Sequence, residues 1–253
     1  MISAVFNEIF YRPLLNALVW LTGFLPDHDF GLAVIILTVI VRLILFPLLH
    51  RSVKTQNKMK QIEPELKKIK NDFKNREEQA RRTMELYRAH GVNPLSGVFL
   101  IFLQLPILIA LYFVFKESPQ ANAEYLYSFI LMPEKIKMMF LGLFDLGQGS
   151  MILAAFAAVS QFLQIKLAQP PVQKQDKTQT PDFAKMLSKQ MTYFMPVLIF
   201  FIAARFPSAV ALYWTVSNIF ATVHEGMVRN KAKKISYAER ISGENSKPDT
   251  KHS

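Results

Sequence analysis

FGLAVIILTVIVRLILFPLLH, residues 30–50, is an apolar run that contains one charged residue, Arg42. An apolar run of about 18 residues or more is typical of a transmembrane helix. Arg42 lies about 12 residues, or roughly 18 Å of helix, from Phe30. A guanidinium keeps its proton in proteins, and a charge at the bilayer centre costs about 2.5–3.5 kcal/mol on insertion scales. The run therefore predicts a spanning helix whose arginine must be compensated.

The other apolar runs of the chain carry no Asp or Glu that could pair with Arg42. Two arrangements then remain for a buried arginine. Water reaches it through a cavity that opens to one side of the membrane, or a carboxylate or lipid phosphate arrives from outside the bundle. The alternative is an Arg42 side chain that extends to the headgroups along its own apolar stem. Its predicted depth favours a polar groove.

Five apolar runs of near-spanning length are separated by charged segments, which predicts an all-α, polytopic membrane protein. The first 26 residues repeat apolar side chains with a helical period but are interrupted by polar ones, so we expect a helix that lies in the interface, with a further span as the alternative. The predicted transmembrane helices are residues 28–50, 93–116, 150–168, 190–205 and 208–225, and the interfacial amphipathic helix is residues 1–27. The predicted cytoplasmic segments are a helical hairpin (51–92), a loop (169–189) and a basic tail (226–253). Residues 117–149 are predicted to form an extracytoplasmic loop.

The hairpin segment is the most charged part of the chain. Apolar residues spaced by three and four predict one helical stripe over residues 59–73 and a shorter one over 80–87, with a polar break at 71–75. Pro64 is expected either to kink the first helix or to start a new one. A single solvated helix is the alternative. The tail after residue 226 is polar and basic, and we expect it to be disordered.

Lys and Arg residues are distributed unevenly between the two sides of this topology. The segments after the first, third and fifth spans hold 23 of them, and the remaining connections and the amino-terminal segment hold 5. Because positive charge is retained in the cytoplasm, the amino terminus is predicted outside, and the hairpin and tail inside. This asymmetry accounts for much of the net charge of +11 without a DNA-binding role.

Sequence motifs for enzymatic chemistry are missing from the chain. It has no cysteine, no GxxxxGK[ST] phosphate loop and no HExxH motif. The five histidines are scattered, and each is expected to be a single solvated side chain. We therefore expect neither an enzyme nor a bound metal or cofactor.

Several short motifs together resemble the core of the YidC-type membrane protein insertases. Arg42 is followed by Phe46-Pro47-Leu48, and then come Asn93-Pro94-Leu95, Gln104-x-Pro106-Ile107, Phe206-Pro207-Ser208, Leu212-Tyr213-Trp214 and Ser217-Asn218. The resemblance extends from about Phe6 to Lys234. It implies a bundle of five transmembrane helices around a hydrophilic groove that is open to the cytoplasm and to lipid.

By this resemblance, Arg42 is the functional arginine of the groove. Gln164 and Trp214 are further groove-lining residues, and Gln161, one helical turn from Gln164, is an alternative to it. Gln104 is a candidate for the same surface. For each glutamine, hydrogen bonding that only holds helices together is the alternative, and Trp214 could equally be a packing residue or an interface anchor.

The implied function is insertion and folding of nascent membrane proteins in the bacterial inner membrane. Expected partners are the nascent proteins and membrane lipids, with the Sec translocon as a candidate partner and the ribosome as a candidate partner of the tail. Two rival classes stay open: a small anion channel or solute transporter, and a non-catalytic scaffold for membrane assemblies. A channel predicts solute flux through a path open to both sides, and a scaffold predicts that Arg42 can be replaced without loss.

Overall fold

The computed structural model describes residues 4–73, 75–93, 96–117, 119–168 and 183–245. It is mostly helical. The helices in chain order are α1 (Ala4–Phe6), α2 (Arg12–Phe24), α3 (Phe30–Ile44), α4 (Phe46–Gln61), α5 (Glu63–Asp72), α6 (Arg76–Ala89), α7 (Ser96–Lys116), α8 (Met151–Ala168), α9 (Phe183–Arg205) and α10 (Ser208–Asn245). A π-helical stretch, Asn7–Tyr11, joins α1 to α2, and two 3-10 turns cover Pro26–His28 and Pro119–Tyr125.

The predicted first span, residues 28–50, is not one straight helix. α3 ends at Ile44, α4 begins at Phe46, and the two are bent by 66°. Pro47 lies in the first turn of α4, where its missing N–H costs no hydrogen bond, whereas within a continuous helix its ring would clash with the preceding turn. Arg42 therefore lies in the last turn of α3, immediately before the bend, rather than in the middle of a longer helix.

The bundle is built on α8 and α10. α8 packs against α9 and α10, and α10 also packs against α3. Small residues let these helices approach closely, and fully buried alanines among them include Ala33, Ala154, Ala157, Ala203, Ala209 and Ala211. At the start of α8, Gly149 lies so close to the end of α9 that a Cβ there would be 2.5 Å from the carbonyl oxygen of Ala204.

The amino-terminal helix is fastened to the connection that follows α7. Asn16, 1% exposed, donates from Nδ2 to the carbonyl oxygen of Tyr125 at 2.9 Å and accepts at Oδ1 from the backbone N–H of Tyr127 at 2.7 Å. Arg12 donates from Nε to the same Tyr125 oxygen at 3.1 Å. Burial, with a smaller contribution from Glu117, raises the pKa of Tyr11 to about 12, so its phenol stays neutral.

Helices α5 and α6 occupy the segment for which the sequence predicts a hairpin, and they pack against each other. Pro64 starts a new helix rather than kinking the first one, because α4 ends at Gln61 and Pro64 lies in the first turn of α5. The chain turns between Asp72 and Arg76, within the predicted break. At the start of α6, Asn75 caps the helix by accepting the backbone N–H of Glu77 at 2.8 Å.

One expectation is corrected by the described residues. The tail is not disordered from residue 226, because α10 continues to Asn245; this stretch contains no proline, and its alanine, lysine and arginine residues favour helix. The connection before α8 contains a short antiparallel hairpin of β1 (Met139–Phe140) and β2 (Phe144–Asp145). α9 begins at Phe183, ahead of the predicted span at residue 190. Most of the predicted loop 169–189 lies outside the described residues.

Length and composition identify few complete spans within the described residues. Met151–Ala168 alone is long and apolar enough to cross a bilayer, and the bent pair Phe30–Ile44 with Phe46–Met59 adds a second if it is counted as one span. Gln104–Lys116 and Thr192–Arg205 are shorter apolar helices. The count of five transmembrane helices therefore remains a prediction.

Candidate functional site

Three elements meet at Arg42. Its Nη2 donates to Oε1 of Gln104 on α7 at 3.3 Å, and Nε2 of Gln104 donates to the hydroxyl oxygen of Tyr213 on α10 at 2.6 Å. Arg42 is half-buried and Tyr213 is buried. We call these three residues the arginine chain. These hydrogen bonds link the guanidinium to α7 and, through Gln104, to α10.

The partners of Arg42 leave its charge uncompensated. Gln104 and Tyr213 are neutral, and within the described residues no carboxylate lies within ion-pair distance of the guanidinium. A guanidinium has five N–H donors, and Gln104 is its hydrogen-bond acceptor in this part of the chain. The arrangement orients a positive charge and leaves other N–H groups of the guanidinium without a hydrogen-bond acceptor among the described residues.

A second polar group lies between α8 and α10. Nε1 of Trp214 donates to Oε1 of Gln161 at 3.1 Å, and Nε2 of Gln161 donates to Oε1 of Gln164 at 3.1 Å. All three side chains are half-buried. We call them the glutamine cluster. The structure thus brings together Gln161, Gln164 and Trp214, and it joins Arg42 to Gln104, but no hydrogen bond connects the two groups among the described residues.

Adjacent residues on α10 face different neighbours. Tyr213 contacts Gln104 on α7, and Trp214 contacts Gln161 on α8. One turn further on, the buried Asn218 donates to Oγ of Ser160 at 3.1 Å. Sequence reasoning assigned no role to Tyr213, Ser160 or Asn218. The available signal was the adjacency of Leu212-Tyr213-Trp214 and Ser217-Asn218 in the family-like motifs.

A small, apolar cavity adjoins the arginine chain at Tyr213. It has a volume of about 10 Å³, room for about one water molecule. Tyr213 is one of its walls, and the others are Leu14, Leu18, Val34, Leu37, Thr38, Val41, Ile107, Leu111 and Phe115. This cavity is not the hydrophilic groove that the resemblance implies, so the groove stays a proposal.

His50 and His224 lie in contact, although the sequence predicts that each is a single solvated side chain. Nδ1 of His50 and Nε2 of His224 are 3.2 Å apart, and the ring of Phe46 packs against both imidazoles. His224 is buried. The expectation of single solvated histidines is therefore wrong for this pair, because the fold brings α4 across α10. The contact joins the first turns of α4 to α10.

A family model and two known proteins that are similar to this chain all indicate the same family. Residues 20–235 match the model of a family described as 60Kd inner membrane protein. The chain is 32% identical over 243 residues to membrane protein insertase YidC 2 of Bacillus anthracis, which covers 93% of this chain and 86% of that protein. It is 31% identical to membrane protein insertase MisCA of Bacillus subtilis, over 85% of this chain and 76% of that protein.

A solved structure has a similar fold. It is described as an active YidC insertase crystal structure with the first transmembrane domain resolved, and it matches this chain with a TM-score of 0.56 at 24% sequence identity. The match covers 87% of this chain and 46% of the solved chain, so this chain spans just under half of that length. At this identity the likeness supports the fold alone.

Proposed function

The chain belongs to the 60Kd inner membrane protein family of YidC insertases, and on this premise we propose how it inserts membrane proteins. It is a membrane protein insertase whose substrates are nascent membrane proteins. The proposed mechanism is non-enzymatic: Arg42 holds the acidic flank of a substrate for a short time while the apolar part of that substrate enters lipid. The observation that carries the mechanism is the orientation of Arg42 by two neutral side chains.

Transfer into the membrane is favourable for the apolar segment of the substrate and unfavourable for its acidic flank. A segment of about 20 apolar residues gains on the order of 6–12 kcal/mol in lipid, at about 0.3–0.6 kcal/mol per residue. Each acidic residue in the flank costs about 2.5–3.5 kcal/mol at the bilayer centre. Insertion therefore needs no fuel from the protein, but it needs a route for the flank that lowers this cost.

We propose that this route is a hydrated groove between α3, α7, α8 and α10. The arginine chain would form one wall, where Arg42 attracts a carboxylate and Gln104 limits the motion of the guanidinium. The glutamine cluster would form the other wall, where Gln161, Gln164 and Trp214 offer hydrogen bonds to a polar segment in transit. Because no carboxylate among the described residues lies within ion-pair distance of Arg42, the carboxylate of the substrate competes with no internal partner there, and it leaves when the flank exits.

The topology that suits this mechanism has five spans, α3, α7, α8, α9 and α10, with the amino-terminal helix in the outer interface. The amino terminus would be outside, and α5, α6 and the end of α10 in the cytoplasm of a bacterium. There the charged hairpin could receive substrates or the Sec translocon, and the basic end of α10 could meet the ribosome. These assignments follow the excess of Lys and Arg on that side.

The decisive experiment measures insertion into proteoliposomes of single-span substrates whose short flank carries acidic or neutral residues. Arg42→Ala should lower the yield for the acidic flank about tenfold, which corresponds to a loss of about 1.4 kcal/mol, and leave the neutral flank nearly unchanged. Arg205→Ala is the matched control, because Arg205 is an exposed arginine at the end of α9 and should affect neither substrate.

The outcomes separate the mechanism from its rivals. Equal yields for acidic and neutral flanks, unaffected by Arg42→Ala, would contradict the charge mechanism while leaving insertion itself intact. A solute flux that is lost with Arg42 would favour an anion channel instead.

A further inference from the structure

The connection between α7 and α8 carries two apolar tips that no described residue covers. The first tip comprises residues 129–131 and the second residues 141–143. Four large apolar side chains are exposed at these tips: Phe129 by 77%, Leu131 by 87%, Leu141 by 65% and Leu143 by 73%. Exposure of this extent is unusual for a cluster of large apolar residues in water.

Each tip is joined to apolar residues that face inward. In the first tip Ile130, with Met132 next to the tip, packs against the hydrophobic core, and on either side of the second tip Phe140 is buried and Phe144 is partly buried. A segment that lies between protein and water is expected to be apolar on one face and polar on the other. Apolar residues on both faces indicate that the outward face also meets an apolar medium.

The second tip is fixed rigidly to the ends of two bundle helices. At α3, the backbone N–H of Phe30 donates to the carbonyl oxygen of Lys137 at 3.1 Å, and the ring of Phe140 fills the space beside Gly31. At α10, the backbone N–H of Ser208 donates to the carbonyl oxygen of Gln148 at 2.8 Å. The position of the second tip is therefore fixed relative to the first residues of α3 and α10.

The backbone of the second tip gives independent support. Leu141 has φ +54° and Gly142 has φ +69°, and the backbone N–H of Leu143 donates to the carbonyl oxygen of Phe140 at 3.1 Å. The pairing of Phe140 with Phe144 makes residues 141–143 a three-residue connection, and its first residue is a leucine in a conformation that favours Asn, Asp or Gly. Elsewhere in the described chain, the non-glycine residues of positive φ are Asp27 and His28, types that tolerate this conformation.

Leucine at position 141 is therefore unfavourable twice in water, once through its backbone conformation and once through its exposed side chain. Both costs would be lower for a polar turn residue. Burial of Leu141 in hydrocarbon removes the second cost and offsets the first. The next element, α8, also begins with exposed apolar residues, Met151 and Ile152, and it is the helix that is long and apolar enough to cross a bilayer by itself.

We propose that the two tips insert into the adjacent leaflet of the membrane, at the end of the bundle where α3 and α10 begin, and act as a depth anchor. The ligand is the acyl and glycerol region of the lipid, contacted by Phe129, Leu131, Leu141 and Leu143. Because the second tip is hydrogen-bonded to α3, the anchor sets how deep Arg42 lies in the bilayer. This inference rests on the transmembrane placement in the proposed function.

Single cysteines test the anchor directly, since the chain has no native cysteine. Leu143→Cys and Leu131→Cys are labelled with an environment-sensitive fluorophore, and the full chain is reconstituted in vesicles that contain nitroxide-labelled lipids. An insertion depth of about 5–10 Å is typical of such anchors, so shallow nitroxides should quench both labels at least about twofold more than at Gln148→Cys. Gln148 is exposed and polar, and it lies in the same connection.

Each outcome decides the question. A blue-shifted emission that shallow nitroxides quench supports the anchor. Emission like that of Gln148→Cys would overturn it in favour of a solvated loop, and a blue shift without nitroxide quenching would overturn it in favour of a protein partner or a second copy. Insertion yields of the labelled variants are measured in the same vesicles, so that an insertase without lipid-inserted tips is distinguished from a chain that is not an insertase.

Discussion

At the scale of single residues, the main feature is a cation that is oriented without being neutralised. A carboxylate partner on a neighbouring helix would stabilise Arg42 but would also compete with an acidic substrate. The amide of Gln104 and the hydroxyl of Tyr213 avoid this competition, because each contributes a dipole and no net charge. The hydrogen bonds in such a chain polarise one another, so the outer member affects the guanidinium although it does not touch it.

Tyr213→Phe tests this indirect role. The change removes the acceptor of the 2.6 Å hydrogen bond from Gln104, and a neutral hydrogen bond is worth about 0.5–1.5 kcal/mol. We expect insertion of an acid-flanked substrate to fall about two- to tenfold, with little change for a neutral flank. Tyr193→Phe is the control, because Tyr193 is exposed. Equal losses for both flanks would show that Tyr213 only stabilises the fold.

The sequence alone indicates the arginine and the glutamines of the candidate site, but not Tyr213. An arginine inside an apolar run stands out, and so do Gln104 in a second run and the pair Gln161 and Gln164 in a third. Tyr213 does not stand out, because a tyrosine in a spanning helix is equally typical of an interface anchor. The contact of His50 with His224 joins residues 174 positions apart, and no periodicity within either helix indicates it.

At the scale of secondary-structure elements, three prolines show why the sequence predicts the presence of a helix better than the position of its ends. Pro106 and Pro196 lie inside continuous helices, α7 and α9, whereas Pro47 marks a bend of 66°. The residue type is the same, and neighbouring helices decide whether the freed backbone groups are satisfied in a straight helix. The bend places Arg42 at a helix end, and hydropathy alone could not indicate this.

Glycine substitutions test the packing of the β hairpin on α3. A Cβ at Gly31 would overlap the ring of Phe140, whereas a Cβ at Gly23 would meet only Pro133 Cγ, at 3.9 Å. Overpacking costs about 1–3 kcal/mol, so Gly31→Ala should lower the thermal unfolding temperature in detergent. Gly23→Ala, also helical, should be neutral or stabilising by up to about 1 kcal/mol. Similar unfolding temperatures for the two variants would contradict the packing of Phe140 on α3.

At the scale of the whole molecule, charge and apolar surface divide the protein into two unlike ends. The end at which α3 and α10 begin has few Lys and Arg residues and carries the exposed apolar tips, while the opposite end carries the charged helices α5 and α6 and the basic part of α10. Positive charge opposes transfer across the membrane, and apolar tips favour contact with lipid. The positive charge at one end and the apolar tips at the other favour the same orientation, with α5, α6 and the basic part of α10 in the cytoplasm.

Cysteine labelling in intact cells tests that orientation. Glu134 and Glu85 are both exposed glutamates, one in the connection between α7 and α8 and the other on α6, and the chain supplies a cysteine-free background. A membrane-impermeant maleimide should label Glu134→Cys in intact cells and Glu85→Cys only after permeabilisation, because the segment that holds Glu85 contains 12 Lys and Arg residues and should stay in the cytoplasm. Labelling in the reverse order would invert the topology, and with it the side from which an acidic flank reaches Arg42.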